Sequence, residues 1–176
     1  MQEDEEYYER FLHGDKGAME KLVAIHRQGL TLFLYGIVRD MALAEELMID
    51  TFAQLVISGS RYRRKASLKT YLFTIGRNLA FSYGRDRKRH EYVPLEDAES
   101  LPDPVLGGLL AQEKKRSLYE AMRKMNPEYC EILDLIYLED MSYDEAAEVL
   151  GKNRKQVANL VFRAKQQLKE ILEEEP

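Results

Sequence analysis

The chain has 176 residues, 45% of them apolar, which is enough for one large or two small folded domains. This composition excludes a chain that is disordered along its whole length. Its 26 basic and 31 acidic side chains give a net charge of −5, and its one cysteine excludes an internal disulfide. No apolar run approaches the roughly 18–20 residues of a membrane helix. The first residues are acidic, whereas a signal peptide begins with a positively charged region, so we expect a cytoplasmic protein without membrane insertion.

Helical periodicity dominates the chain, and no segment shows sustained strand-like alternation, so the sequence predicts an all-α fold. A short first helix is predicted over residues 4–12, followed by a break in which Asp15 is a candidate N-cap for the next helix. That second helix runs to Val38 and is too apolar to lie alone on a surface. We expect it to pack against a third helix over residues 40–57.

Charge is distributed unevenly along the chain. Residues 61–90 carry ten basic side chains and one acidic one, whereas residues 152–169 carry six basic and no acidic ones. The first block is a basic loop, Arg61–Lys65, and a long helix in which cations alternate with aromatic rings. This composition suits single-stranded or melted nucleic acid, because bases stack on rings while cations hold the backbone. The alternative is that Tyr71 and Phe73 belong to a hydrophobic core.

Residues 91–111 contain three prolines, two glycines and five acids, which is typical of a flexible, acidic linker. The sequence therefore predicts two small helical domains, residues 1–90 and 112–176, joined by this linker. In the second domain, helices are predicted near residues 110–125 and 128–138.

A helix-turn-helix pattern follows these two helices. Ser142 and Glu145 form a capping box, and Gly151 provides the tight turn. Asn153 then caps a second helix inside the basic block 152–169, and a basic helix at this position suits the major groove of DNA. The base-edge candidates are the early exposed positions of this helix, and later cations suit phosphates. The candidate set is Asn153, Arg154, Lys155, Gln156, Asn159, Arg163 and Lys165.

No catalytic or metal-binding constellation is visible in the sequence. His13, His26 and His90 lack metal-ligand spacing, and there is no nucleophile motif or phosphate-cradling glycine pattern. We therefore expect no enzyme, no cofactor and no metal site, with the histidines at surface or capping positions. Cys130 is expected to be a small buried hydrophobic residue.

Three stretches together resemble the extracytoplasmic-function (ECF) group of bacterial sigma factors. Residues 40–52 (DMALAEELMIDTF) resemble region 2.2, residues 68–80 (LKTYLFTIGRNLA) resemble regions 2.3 and 2.4, and residues 141–165 resemble region 4.2. Their order and spacing cover nearly the whole chain. The resemblance implies a transcription initiation factor that binds core RNA polymerase at the β′ clamp helices and the β flap and directs it to promoter DNA. Members of this group often have an anti-sigma partner.

The resemblance also implies roles for individual residues. Contacts with the polymerase clamp fall on Glu45, Glu46, Ile49, Asp50, Phe52 and Gln54. Capture and melting of the minus-10 element fall on Arg61, Tyr62, Arg63, Arg64, Lys65, Lys69, Tyr71, Arg77, Asn78, Arg85, Arg87 and Lys88. Recognition of the minus-35 element falls on the helix-turn-helix set above.

The sequence departs from the family pattern at three places. Tyr71 stands where Trp is common, Ser82 stands where Asp is common, and the recognition helix opens with Arg154 and its neighbours instead of a small-Thr-Val pattern. These changes bear on promoter choice and not on architecture. Two other functions stay open: a stand-alone helix-turn-helix regulator, and a peripheral membrane or adaptor protein that uses the Arg85–Arg89 segment on anionic lipid.

Overall fold

The computed structural model describes residues 2–90 and 113–174, and every regular element in these two ranges is helical. The first unit consists of α1 (Gln2–Leu12), α2 (Lys16–Val38), α3 (Met41–Ile57), a 3₁₀ turn (Gly59–Arg61) and α4 (Leu68–His90). The second consists of α5 (Glu113–Arg123), α6 (Pro127–Leu133), a π-helical turn (Asp134–Leu138), α7 (Tyr143–Leu150) and α8 (Arg154–Glu174). These elements confirm the all-α fold class. The predicted linker, residues 91–111, lies outside the described residues.

Side-chain caps fix the starts of the long helices in the first unit. The Asp15 carboxylate accepts the Ala18 backbone N–H at 3.3 Å, and the Asp40 carboxylate accepts that of Leu43 at 3.1 Å. Arg39 ends α2 in the left-handed region, at a φ of 58°. The chain therefore reverses within two residues, and α3 packs back along α2.

The core of the first unit is centred on α2, which packs against α1, α3 and α4. Leu30 and Leu34 of α2 are fully buried. Gly76 allows α4 to approach closely, because a Cβ at this position would lie 3.1 Å from Leu30 Cδ1 and 3.2 Å from Thr51 Oγ1. This packing fixes the position of the basic segment that precedes and opens α4.

His26 corrects one expectation from the sequence, because it lies at neither a surface nor a capping position. Its side chain is 7% exposed, and Nε2 is 2.8 Å from Oδ2 of Asp4 on α1. Burial raises the pKa of Asp4, but the hydrogen bond to His26 and the charge of His26 outweigh burial, and the net pKa is lowered. This buried pair ties α1 to α2.

The second unit contains the predicted helix-turn-helix. Ser142 and Glu145 make the reciprocal hydrogen bonds of a capping box, at 3.2 and 2.9 Å. Gly151 then takes a φ of +63°, which favours glycine. Asn153 and Gln156 cap the next helix in the same reciprocal manner, each backbone N–H donating to the other's side-chain oxygen at 2.9 Å.

The two units pack against each other and share one continuous hydrophobic core. Helix α4 contacts α7, and α2 contacts α6 and the π-helical turn. Gly29 lies at this junction, where a Cβ would overlap the carboxylate of Glu139. Cys130 also lies there and is buried, as the sequence predicted, and burial raises the pKa of its thiol to about 11.

Candidate nucleic-acid interface

The first basic surface is formed by the segment between α3 and α4 and by one side of α4. Its exposed members are Arg61, Arg63, Arg64, Lys65, Asn78 and Arg85. Its half-buried members are Tyr62, Lys69, Tyr71 and Arg77. Arg87 and Lys88 lie on α4, and their side chains are outside the described part of the chain. The structure thus brings the predicted minus-10 residues of known placement onto one segment and the helix that follows it.

The aromatic residues of this segment divide between core and surface. Phe73 is fully buried, so it cannot stack on a base, and the core interpretation is correct for it. Tyr71 is half-buried, and its ring packs against Tyr62 with centroids 5.2 Å apart. Phe81 and Tyr83 are each 42% exposed farther along α4. The Arg77 guanidinium lies over the Phe81 ring, 4.4 Å from its centroid.

Two cations of this surface are held by acids of the second unit. Lys69 Nζ lies 2.8 Å from Glu139 Oε2 and also donates to the Glu139 carbonyl oxygen at 2.7 Å. Arg77 Nε donates to Glu131 Oε2 at 2.6 Å. Burial raises the pKa of Glu131, and the Arg77 hydrogen bond and charge offset only part of that rise. In this arrangement each cation is paired with an acid of the second unit and only partly exposed.

The second basic surface is the start of α8. All seven predicted minus-35 residues are exposed, whereas Val157 and Val161 are buried beneath them. Helical spacing places Lys155, Gln156, Asn159 and Arg163 on the face directed away from that buried side. We call these four residues the recognition face, after the role that the sequence predicts for them, and all four are exposed.

Arg154 and Lys165 lie on the other edge of α8. Arg154 forms an ion pair with Asp144 at 2.7 Å, and its guanidinium is 5.9 Å from the centroid of the Tyr143 ring. Lys165 Nζ is 5.1 Å from the centroid of the Tyr137 ring. Lys152, which precedes the Asn153 cap of α8, was not predicted, and it lies beside Gln156, Asn159 and Arg163. The signal that could have found it was its place at the start of the basic block 152–169.

The predicted polymerase-contact residues lie on α3. Glu45, Glu46, Ile49 and Asp50 are exposed, and Gln54 is half-buried. Phe52 is only 6% exposed and packs in the core of the first unit, so the structure corrects its assignment to a contact surface. Its position on α3 turns it towards α2 and α4, on the side opposite to Asp50.

The exposed side of α3 continues beyond the predicted set. Val56 is 46% exposed and Ile57 is 76% exposed. They lie seven and eight residues after Ile49, respectively. This spacing puts them on the same side of the helix. We refer to Glu45, Glu46, Ile49, Asp50, Val56 and Ile57 as the α3 stripe. Its acids beside exposed apolar side chains suit a partner that offers both basic and apolar groups.

Within the described ranges there is no group of three or more His, Cys, Asp or Glu side chains that could hold a metal ion. The helices in those same ranges include none that is long and apolar enough to cross a membrane.

Comparison with known proteins identifies the family. The model of "Sigma-70 region 2" matches residues 22–90, and that of "Sigma-70, region 4" matches residues 115–168. The RNA polymerase sigma factor CarQ of Myxococcus xanthus is 31% identical over 175 residues, which cover 94% of this chain and 95% of CarQ. The chain belongs to the ECF sigma factors. SigM of Bacillus subtilis, an ECF sigma factor, is 27% identical over 87% of this chain and 94% of its own.

Solved structures agree with the fold of this sigma factor. CnrH in complex with the cytosolic domain of CnrY aligns with a TM-score of 0.72 at 21% identity, covering 99% of both chains. RpoE of Bartonella quintana, in complex with the anti-sigma factor NepR, aligns with a TM-score of 0.67 at 22% identity, covering 89% of this chain and 98% of its own. These likenesses extend over both helical units.

Proposed function

We propose that this sigma factor binds core RNA polymerase and directs it to promoters for transcription initiation. The observation that supports this most strongly is the pair of family matches, one on each helical unit, in the order of a sigma factor. A stand-alone helix-turn-helix regulator would use only the second unit and leaves the first without a function. RNA synthesis itself is the chemistry of the polymerase, and we propose no catalytic role for this chain.

In this proposal the two units bind different parts of the promoter, and the first also binds the polymerase. Residues 1–90 dock on the polymerase through the α3 stripe and capture the minus-10 element with residues 61–67 and α4. Residues 112–176 read the minus-35 element with the recognition face of α8, in which Gln156 and Asn159 can pair with adenine edges. Residues 91–111 link the two domains.

The contacts between the units bear directly on promoter capture. Lys69 and Arg77 must leave Glu139 and Glu131 before they can contact DNA, because each cation is within 2.8 Å of its acid. The α3 stripe and the recognition face are exposed in the same arrangement. Docking on the polymerase can therefore precede separation of the units, whereas capture of the minus-10 strand has to follow it.

An anti-sigma factor is a further partner that we propose on the basis of family membership, since such partners are common in the group that the sequence resembles. RpoE of Bartonella quintana was solved with one. An inhibitor that competes with the polymerase would share the α3 stripe with it.

A charge reversal on the α3 stripe tests the polymerase contact. We expect Asp50→Arg to weaken binding to purified bacterial core polymerase at least about tenfold. Two like charges that face each other at an interface cost more than about 1.4 kcal/mol of binding free energy. Glu20→Arg is the matched control, because it makes the same charge change at an exposed position of α2. Affinity is measured by fluorescence anisotropy of the labelled protein. Equal affinities for the two variants would refute the assignment of the stripe.

A further inference from the structure

The segment between α3 and α4 has little internal structure to hold its shape. After the 3₁₀ turn, residues 62–67 contain no regular element. Arg64 takes a φ of 53°, in the left-handed region that side-chain-bearing residues rarely adopt. Arg63, Arg64 and Lys65 are exposed neighbours of like charge. A segment of this kind keeps one conformation only if contacts from elsewhere in the fold determine it.

Helix α1 supplies those contacts through Glu5. One carboxylate oxygen of Glu5 accepts the backbone N–H of Leu68, the first residue of α4, at 3.0 Å. The same oxygen lies 3.4 Å from the Tyr62 hydroxyl, which donates to the Ala66 carbonyl oxygen at 2.8 Å. Glu5 thus contacts Tyr62, the first residue of the segment, and Leu68, which directly follows its last residue.

The contact with Leu68 caps the start of α4 from another helix. The first N–H groups of a helix have no partner within it, and a negative charge at this end is favourable. Ser67 accepts the Thr70 N–H at 3.1 Å, and Glu5 satisfies the N–H of Leu68. A side chain 63 residues away in sequence therefore completes the cap.

Two further residues on the same face of α1 reinforce this contact. The Tyr8 ring packs edge-on against Tyr62, with centroids 5.8 Å apart, and the Tyr8 hydroxyl donates to the Leu55 carbonyl oxygen of α3 at 3.2 Å. Glu9 forms an ion pair with Arg64. Burial, together with the charge and hydrogen bond of Glu5, raises the pKa of Tyr62 to about 12, so its hydroxyl stays neutral and can donate.

We propose that α1 holds residues 62–67 in the shape that captures the minus-10 strand, with Glu5 as a positioning residue that does not itself touch DNA. The proposal rests on the proposed function. It goes beyond the family match, which begins at residue 22 and leaves α1 without a role. Loss of the Glu5 carboxylate lets the segment sample other shapes, and only strand capture should suffer, because the α3 stripe and the recognition face are formed elsewhere.

The test compares Glu5→Ala with Glu5→Gln and with Glu6→Ala, in holoenzyme assembled from the full-length protein and purified core polymerase. The glutamine keeps an oxygen that can accept the Leu68 N–H, and Glu6→Ala removes an equal charge from an exposed neighbour on α1. The probe is a library of single-stranded oligonucleotides with every base at each position of a six-base window. Affinity and base preference are read together.

We expect Glu5→Ala to bind its preferred strands about fivefold to tenfold more weakly and to lose base preference, because the lost bond is a hydrogen bond to a charged acceptor. Glu5→Gln should recover most of the affinity, and Glu6→Ala should match the wild type. Core affinity should change less than about twofold in all three, which is within the spread of a neutral surface substitution.

Tyr62→Phe keeps the ring and removes only the hydroxyl, so it tests the same segment if Glu5→Ala fails to fold. It should lower strand affinity in the same direction. Unchanged base preference in both Glu5→Ala and Tyr62→Phe would overturn the proposal, as would a parallel loss of core affinity. Absence of strand binding by the wild-type holoenzyme would instead overturn the proposed function.

Discussion

Glu131→Gln should loosen the packing between the two units, because it removes the charge from an ion pair that is more deeply buried than the Lys69–Glu139 pair. Glu131 is 4% exposed and Arg77 19% exposed, with 2.6 Å between Oε2 and Nε. Removing one partner of a fully buried pair costs about 3–5 kcal/mol. Glutamine keeps one acceptor for Arg77, and Arg77 keeps some solvent, so we expect about 2 kcal/mol, or roughly a thirtyfold shift towards separated units.

Cys130 reports this separation without any added label. It is the only cysteine of the chain, and it lies at the junction between residues of both units. While the units are packed its thiol is buried, and burial raises its pKa to about 11, so both effects slow its reaction with a thiol reagent. When closing is fast, the reaction rate follows the population of the open state.

The assay is the rate of Cys130 modification by an aromatic disulfide reagent. Glu131→Gln should raise this rate about thirtyfold, and Glu139→Gln, at the second ion pair, should raise it in the same direction. Glu128→Gln is the matched control, because Glu128 lies one turn earlier on α6 and pairs with Lys152 inside the second unit. Unfolding is excluded by unchanged helical circular dichroism. Equal rates for Glu131→Gln and the control would show that the Arg77–Glu131 pair does not hold the two units together.

Two further predictions concern other parts of the molecule. The lowered pKa of Asp4 means that its pair with His26 contributes stability above the ordinary pKa of 3.8, and that this contribution is lost as the pH falls through the lower folded-state value. The difference in unfolding free energy between wild type and Asp4→Asn should therefore narrow below pH 3.8, and a difference independent of pH would contradict it. On the recognition face, Asn159→Ala should reduce discrimination between minus-35 sequences. Arg163→Ala should weaken binding to all of them equally and lower the salt slope by about one, as measured by titration of duplexes at several salt concentrations. Equal loss of sequence discrimination in both variants would contradict the assignment of Asn159 to base contacts and Arg163 to phosphate contacts.

Local signals in the sequence were sufficient for much of the fold. Helix ends are set by residues within one turn, so Asp15, the Ser142 capping box and Gly151 could be assigned without knowledge of packing. The recognition face could be predicted for the same reason, because the alternation of buried valines and exposed polar residues on α8 is a local pattern.

Contacts between distant residues could not be predicted in this way. The Arg77 pair with Glu131 joins residues 54 positions apart, and the Asp4 pair with His26 joins residues 22 apart. The burial of Phe52 depends on how α3 is rotated against its neighbours, which the resemblance alone did not fix. No local sequence pattern predicts these pairs, because they depend on how whole helices pack against each other.

The promoter-directing role is tested most directly by run-off transcription with purified bacterial core polymerase, with and without this protein, on a genomic promoter library. We expect transcripts that begin at a defined set of promoters only when the protein is added, and their loss with Asp50→Arg but not with Glu20→Arg. A second sigma factor serves as the control for active core polymerase. If that control gives transcripts but this protein adds none, the protein does not direct the polymerase to promoters.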